Sequence, residues 1–477
     1  MKWSFLPSFV LVVLAFSACD SSSPRGVSTP TVASAWPKLG HDINSSFANA
    51  TERTIGTDSA ASLHEVWRST EQGGVTGTPA ILDGTVYALG SSGVYAFDAR
   101  SGELRWRNTT VHGTSSPTVD HENVFINDGK SILHALKTTD GAELWHATID
   151  AHPRAAGFSS PVVASGMVIV GSASIEEATA KTDATFRGSL VAFDATTGKE
   201  VWRHFTAEPP DTGVAIWSSP SVDVASGTVY ATTGNNYTGD AGATSDSIFA
   251  VRLGDGQLLW NRQLSRGDVF TIPSPRSPDS DFGTNPILFD ATIAGTRREL
   301  VGAGQKSGMF WALDRGTGEI VWSRKVSDGS ALIGGVFNNG AFDGERLVVA
   351  GNNGTSTGAG GEPANGNSNP IGLPIARTSV LEALDPSTGA VIWERQLPAW
   401  VWAPITVANG VGFVSADRQL QAFNIATGEK LWMMETNGTV ASGAAIADGH
   451  IYFGSGLAYL GTKFDNVLHA VRVQIPT

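Results

Sequence analysis

The chain has 477 residues, of which 55 are glycine and only 16% are charged, with a formal net charge of −13. Abundant glycine with few charges favours many short strands joined by tight turns, and argues against helical bundles and disordered chains. The acidic balance, without clustered basic residues, argues against a nucleic-acid partner. The length suits one large repeat array or several ordinary domains.

The first 19 residues predict an export signal. Lys2 gives a positive start, and the mostly apolar run 5–18 is too short for a permanent membrane span. Residues 16–19, Phe-Ser-Ala-Cys, resemble a bacterial lipoprotein processing site, although a phenylalanine replaces the more usual leucine. The resemblance implies that Cys19 is lipidated and anchors the protein to a membrane; an ordinary cleaved signal peptide is the alternative. Residues 20–35, rich in Ser, Thr and Pro, predict a flexible tether.

Eight tryptophans close eight similar stretches of chain, and seven of them follow a turn that ends in glycine. In residues 78–106, three short apolar strands and a turn through Gly102 lead to a fourth strand that ends at Trp106. Units this small cannot hold a core of their own, so they must stack or close into a ring. The eight tryptophans are Trp67, Trp106, Trp145, Trp202, Trp260, Trp322, Trp393 and Trp432.

The repeats predict an all-β fold, an eight-bladed β-propeller of four-stranded antiparallel blades over residues 36–477, with the tryptophans packed between adjacent blades. The last unit has three strands and no closing tryptophan. We expect the strand at residues 63–67 to complete it, because pairing the two chain ends removes exposed strand edges. Four neighbouring units carry insertions, which we expect at one mouth of the channel. The insertions are 178–187, 236–246, 270–282 and 352–378.

The repeat Ala-x-Asp-x-x-Thr-Gly-x-x-x-Trp, as in residues 192–202, resembles that of the pyrroloquinoline quinone (PQQ) dehydrogenases, whose propellers have eight blades. The resemblance runs from about Trp36 to the C-terminus. Residues 36–42 (WPKLGHD) and 302–308 (GAGQKSG) resemble the polyvinyl-alcohol-dehydrogenase branch. Non-catalytic propeller lipoproteins share the repeat, so a scaffold that binds a protein or polysaccharide in the cell envelope is the alternative function.

The resemblance implies a set of cofactor residues. A glutamate that follows a Gly-Ser strand end matches Glu176, with Glu177 as the neighbouring substitute, and would bind a calcium ion. An asparagine in a Gly-Asn step matches Asn235 as a further ligand, and Trp217, at the family's distance from it, would stack under the quinone. Calcium prefers several carboxylate and amide oxygens at once.

The resemblance also implies the groups that act on the substrate. Asp281, in an Asp-Phe-Gly step, matches the general base and a further metal ligand, with Asp279 as its alternative. A carboxylate beside a divalent cation stays ionised at neutral pH and can accept the alcohol proton. Lys306 matches a lysine that contacts the quinone oxygens, where a cation stabilises developing negative charge. Trp402 is a looser match for a residue that covers the pocket.

The predicted function is PQQ- and Ca²⁺-dependent oxidation of alcohols to carbonyl compounds, with polyols suggested by the branch. Cys19 is the only cysteine, so no Cys-x-x-Cys-His haem motif is present and a separate acceptor such as a cytochrome c is expected. The adjacent cysteines of many relatives are absent, and Phe158 stands where several have a hydroxyl residue. The export signal places the protein in the cell envelope, in the periplasm or on the cell surface.

Overall fold

The computed structural model describes Met1 and residues 35–180, 183–274, 277–329, 334–354, 377–456 and 464–474. Cys19 and the tether up to residue 34 lie outside the described residues. Eight four-stranded antiparallel sheets succeed one another along the chain and form an eight-bladed propeller, which confirms the predicted fold. The first strands of neighbouring blades contact one another and line the axis.

The strand bounds of the first four blades follow chain order. Blade 1 is Ala80–Leu82, Thr85–Gly90, Gly93–Asp98 and Leu104–Asn108; blade 2 is Thr118–Val119, Asn123–Asn127, Ile132–Lys137 and Glu143–Thr148; blade 3 is Val162–Ala164, Met167–Gly171, Ser189–Asp194 and Glu200–Phe205; blade 4 is Ser221–Asp223, Thr228–Thr232, Ser247–Arg252 and Leu258–Gln263.

The last four blades repeat the same order. Blade 5 is Ile287–Ile293, Thr296–Gly304, Met309–Asp314 and Ile320–Lys325; blade 6 is Ala341–Phe342, Leu347–Asn353, Thr378–Leu384 and Val391–Leu397; blade 7 is Thr406–Ala408, Val411–Ala416, Gln419–Asn424 and Lys430–Glu435; blade 8 is Ala445–Ala447, His450–Ser455, Val467–Arg472 and His64–Ser69. The remaining elements are the strands Ala48–Asn49, Ala155–Ala156 and Ala173–Ser174, the 3₁₀ helix Ala60–Ser62 and the helix Glu176–Thr179.

Blade 8 joins the two ends of the chain. Its outer strand, His64–Ser69, pairs antiparallel with Val467–Arg472. Nδ1 of His469 lies 2.7 Å from Oε1 of Glu65, so a side-chain contact as well as backbone hydrogen bonds joins these two strands. Because the ring is closed, neither end blade leaves an unpaired strand edge at this point.

Each closing tryptophan docks onto the following blade. All eight indole N–H groups donate to a backbone carbonyl of the next unit, over 2.7–3.2 Å. Seven of the rings lie against a turn glycine with φ between +68° and +76°. A Cβ atom on any of these glycines would lie 2.4–2.7 Å from a ring carbon, so the repeated glycine is required by both backbone conformation and space. The glycines are Gly102, Gly141, Gly198, Gly256, Gly318, Gly389 and Gly428.

Side chains at the start of the first strands link six neighbouring blades. In each link, a Ser or Asn side chain accepts the backbone N–H of the preceding blade, which explains the repeated Ser-Pro and Asn-Pro steps. The links run from Thr78 to Ser116, Ser116 to Ser160, Ser160 to Ser219, Ser219 to Asn285 and Asn285 to Asn339, over 2.6–2.8 Å.

Residues 36–49, the axial segment, run along the first strands of the blades. Their backbone groups hydrogen-bond over 2.8–2.9 Å to the first strands of blades 1, 2, 4, 5, 6 and 7, at Ile81, Val119, Val222, Leu288, Phe342 and Val407. The side chain of Asn49 donates to the carbonyl of Ile446 in blade 8 at 2.7 Å. Trp36 and Phe47 are fully buried, so the segment forms part of the core.

The core consists of apolar layers between adjacent blades. In one layer, for example, Tyr87 and Trp106 of blade 1 pack with Val119 and Ile126 of blade 2. Over the described residues, no helix combines the length and apolar character needed to span a bilayer.

The docking geometry makes a prediction about one repeat glycine. Gly198 has φ +68°, and an added Cβ would lie 2.5 Å from the ring of Trp145. Gly166 has φ +75° with nothing within 4 Å of its Cβ position, so it is the matched control. We expect Gly166→Ala to lower the free energy of unfolding by about 1 kcal/mol from backbone strain alone. Gly198→Ala should add about 1–3 kcal/mol from overpacking.

Urea unfolding followed by tryptophan fluorescence measures both variants. Equal losses for Gly198→Ala and Gly166→Ala would contradict the claim that the indole requires a glycine beneath it.

Candidate active site

The predicted site residues come from loops at one end of the propeller. Trp217 and Asp281 lie just before the first strands of blades 4 and 5, while Asn235 and Lys306 lie just after the second strands of the same blades. Glu177 follows the second strand of blade 3. Since first and second strands are antiparallel, the start of one and the end of the other meet at the same end of the ring.

Lys306 is the centre of this site. Its ammonium is buried and lies 3.0 Å from carboxylate oxygens of Asp279 and Asp281 and 3.6 Å from Oε1 of Glu177. It also lies 5.3 Å from the ring centroid of Trp217. Burial alone would lower the pKa of Lys306, but the three carboxylates outweigh burial and raise that pKa well above its usual value. The lysine is therefore a fixed positive charge.

Glu176 and Glu177 occupy different environments. Glu176 is fully buried, and its Oε2 accepts the backbone N–H groups of Thr185 (3.0 Å) and Phe186 (2.9 Å). Its Oε1 lies 3.5 Å from Nη1 of Arg154. Glu176 thus holds the blade 3 insertion, and the structure brings its neighbour Glu177 to the lysine.

Asn235 and Asp281 are joined directly. Oδ1 of Asp281 accepts the backbone N–H of Asn235 at 2.7 Å, and its carbonyl accepts the backbone N–H of Lys306 at 3.0 Å. The side-chain amide of Asn235 donates to the carbonyl of Phe270 at 2.6 Å. Oδ1 of Asn235 is buried and has no hydrogen-bond partner in the part of the chain that the structure describes.

Carboxylate oxygens in this region form two groups with all members within 4.8 Å of one another. Glu177, Asp279 and Asp281 form the first group, and Asp246, Asp268 and Asp281 form the second. Burial, followed by the charges of Asp281 and Asp279, raises the pKa of Asp268 to about 7. Burial and the charges of Asp268 and Asp281 raise the pKa of Asp246 well above its usual range.

Sequence reasoning missed Asp246 and Asp268. Asp246 is the last residue of the blade 4 insertion, and Asp268 lies two residues before the blade 5 insertion. The sequence signal that could have found them is the position of each aspartate at one end of an insertion.

A cavity of about 310 Å³ opens beside Lys306. The indole of Trp217 forms part of its wall and lies against Gly283, where a Cβ would be 2.2 Å from the ring. The remaining lining is mostly apolar: Phe158, Ala173, Ser174, Ile175, Glu177, Ala178, Ala215, Tyr237, Ile272 and Phe337. Trp402 lies outside this lining and packs with Phe270 and Trp400.

The chain is similar in sequence to known propeller proteins. A family model described as "Outer membrane protein assembly factor BamB" matches residues 54–324 and 306–474. A polyvinylalcohol dehydrogenase from a Pseudomonas species is 30% identical over 463 residues, covering 83% of this chain and 69% of the relative. The chain belongs to the PQQ-dependent alcohol dehydrogenase family.

Solved structures show the same fold. The quinohemoprotein alcohol dehydrogenase from Comamonas testosteroni superposes with a TM-score of 0.74 at 19% identity, covering 93% of this chain and 82% of that one. BamB from Moraxella catarrhalis gives 0.58 at 15% identity, covering 86% and 99%. These likenesses show the fold. The sequence similarity to dehydrogenases makes the protein an enzyme of the quinoprotein alcohol dehydrogenase class, which confirms the predicted resemblance and the expectation of PQQ as its cofactor.

The raised pKa of Asp268 makes stability depend on pH in the metal-free protein. The folded value of about 7 lies above the ~3.9 of an unfolded aspartate, so the folded state holds the proton more tightly. Stability is therefore lost as pH rises between those two values. From pH 5 to pH 8, we expect the free energy of unfolding of chelator-treated protein to fall by up to about 2–3 kcal/mol more than that of Asp268→Asn.

Urea unfolding across this pH range measures the difference. The exposed Asp328→Asn should keep the wild-type slope. An Asp268→Asn slope equal to that of the wild type would show that this carboxyl is already ionised at pH 5.

Proposed function

We propose that this protein oxidises alcohols with PQQ held in the cavity beside Trp217 and a calcium ion held by the neighbouring carboxylates. The single observation that carries the proposal is that an indole face, a buried ammonium and the carboxylate of Glu177 line one cavity, with Asp279 and Asp281 bound to the same ammonium. A scaffold propeller has no use for such a group, whose burial costs free energy unless its charges are matched.

The cavity suits a planar, anionic quinone. The indole of Trp217 forms a flat part of the cavity wall. Gly283 packs against this ring so closely that no residue with a side chain would fit at position 283. The buried Nε1 of Trp217 has no hydrogen-bond partner within the described residues, so it is a donor available to a ligand. Lys306 supplies a positive charge at the same wall.

The acidic first group suits a hard cation. Glu177, Asp281 and the free Oδ1 of Asn235 are carboxylate and amide oxygens, the donors that Ca²⁺ prefers. We therefore propose Glu177, in place of Glu176, as the glutamate ligand. Glu176 has a supporting role instead. It accepts backbone hydrogen bonds from Thr185 and Phe186 and so fixes the insertion that follows the helix Glu176–Thr179.

When bound, PQQ and its cation supply a hydride acceptor with a polarised quinone oxygen. The chain supplies the base that removes the hydroxyl proton of the alcohol. We propose Asp281 for this role, because the backbone N–H of Asn235 and the ammonium of Lys306 fix the orientation of its carboxylate. Asp279, on the same ammonium, is the alternative base.

The remaining parts of the proposal concern substrate and location. An apolar rim with Phe158 and Ile175 about half exposed favours alcohols with a carbon skeleton large enough to contact it. The similarity to a polyvinylalcohol dehydrogenase supports polyols. We propose that electrons pass to a separate acceptor such as a cytochrome c, and that a lipid on Cys19 tethers the propeller to a membrane of the cell envelope.

Adding PQQ and Ca²⁺ to the purified apoprotein tests the activity by dye reduction with simple alcohols and polyols. We expect Asp281→Asn to lower kcat by about 10²–10⁴-fold, the usual contribution of a general base. Quenching of tryptophan fluorescence by PQQ should persist in this variant, and the exposed Asp328→Asn should behave as the wild type. A large loss of kcat in Asp279→Asn but not in Asp281→Asn would show that Asp279 is the base. If the wild type shows neither PQQ-dependent dye reduction nor quenching of its tryptophan fluorescence by PQQ, the proposal is refuted.

The lipid anchor has its own test. Labelling of cells with radioactive palmitate should mark the wild type and leave Cys19→Ala unlabelled, since no other cysteine exists in the chain. The variant should also move from the detergent phase to the aqueous phase in Triton X-114 partitioning. Unlabelled wild-type protein in the aqueous phase would favour an ordinary cleaved signal peptide.

A further inference from the structure

We infer that Asp246, Asp268 and Asp281 form a second cation site behind the cofactor cavity, separate from the one at Glu177. The inference goes beyond the proposed oxidation, since it concerns a site that does not border the cavity and needs neither quinone nor alcohol for its occupation. Asp281 belongs to both groups of carboxylates and would lie between the two ions.

The three carboxylates come together from two loops, because Asp268 and Asp281 both lie in the connection between the last strand of blade 4 and the first strand of blade 5. Asp246 ends the blade 4 insertion, Asp268 follows the last strand of that blade, and Asp281 precedes the first strand of blade 5. One oxygen of each lies within 4.8 Å of the others, close enough for one ion to contact all three. All three residues are at most 2% exposed.

Burial makes an unmatched group of this kind costly. A buried carboxylate is normally paired, hydrogen-bonded or bound to a metal. Of the three, only Asp281 contacts the ammonium of Lys306, and none of the described basic side chains forms an ion pair with Asp246 or Asp268. Asp268 is held by donors instead, among them the backbone N–H of Phe270 at 3.0 Å and the hydroxyl of Ser277 at 2.9 Å.

Asp246 provides the observation that points to a ligand. It is fully buried, and neither of its side-chain oxygens has a hydrogen-bond partner among the described residues. A cation held between Asp246, Asp268 and Asp281 would satisfy both of these oxygens.

The donor set identifies the class of ion. Three carboxylates, with no sulfur or imidazole in the group, suit a hard cation such as Ca²⁺ and not Zn²⁺ or copper. The ion would tie the blade 4 insertion to the loop that carries Asp279 and Asp281, and would thereby hold the proposed base in place from behind.

Equilibrium dialysis of the chelator-treated full chain against radioactive Ca²⁺, without PQQ, tests the inference. The wild type should bind two Ca²⁺ per chain, and Asp246→Asn and Asp268→Asn should each bind one. Glu177→Gln, which alters only the first group, should also bind one. Asp240→Asn is the matched control, an exposed aspartate of the same insertion, and should bind two. Thermal melting checks that each variant is folded.

One Ca²⁺ per wild-type chain overturns the inference if Glu177→Gln loses that ion and Asp246→Asn and Asp268→Asn keep it, as does retention of two by both Asp246→Asn and Asp268→Asn. One Ca²⁺ that Asp246→Asn loses and Glu177→Gln keeps supports this site and refutes the calcium site of the proposed function instead. Loss of both ions from a folded Asp246→Asn overturns it as well, because the two groups would then be one site. The outcome is independent of the proposed function: two bound ions with no PQQ-dependent dye reduction would refute the oxidation alone.

Discussion

The docking of an indole onto the glycine turn of the next blade is the contact on which the ring depends. The indole N–H binds a backbone carbonyl of the neighbour at all eight junctions, and seven of the rings lie against a turn glycine. Each contact joins an apolar face to a directed hydrogen bond, so it fixes both distance and orientation between two sheets. Trp106, Trp202 and Trp322 are buried, and removing a buried tryptophan side chain typically costs about 3–5 kcal/mol, so these contacts contribute strongly to the interfaces between blades.

Fixed blade positions explain how loops from three blades can build one site. Glu177, Trp217 and Lys306 belong to blades 3, 4 and 5, and each lies at the end of a strand that cannot slide relative to its neighbours. The buried ammonium of Lys306 and the carboxylates around it are stable only together, because each alone would be a buried, unmatched charge. The rigid ring therefore supports a group of charges that a flexible loop could not hold.

The sequence predicted the ring well because its signal repeats. All eight units carry the closing tryptophan, seven carry the turn glycine before it, and four begin with a Ser-Pro or Asn-Pro step. A unit that lacks one of these signals is therefore still recognised from the others. The site carries no such redundancy. The sequence pattern matched Glu176, but both glutamates begin a single short helical turn, Glu176–Thr179, and only the packing of the insertion decides which faces the lysine.

The missed aspartates have a similar explanation. Asp246 and Asp268 lie 35 and 13 residues before Asp281 along the chain, and no spacing rule brings loops of that length together. Their proximity arises from the fold of blades 4 and 5. In contrast, Trp217, Asn235, Asp281 and Lys306 meet where the sequence predicted, because each lies directly beside a strand whose end the repeat had already located.

The axial segment carries a consequence for how the molecule is made. Residues 36–49 are synthesised before all eight blades, yet they bond to the inner strands of blades 1, 2, 4, 5, 6, 7 and 8, the last at Ile446. The strand His64–Ser69 likewise waits for Val467–Arg472. The axial segment and the strand His64–Ser69 thus lack some of their partners until the last blade has been made, and the finished propeller is held along its axis by residues that precede every blade in the chain.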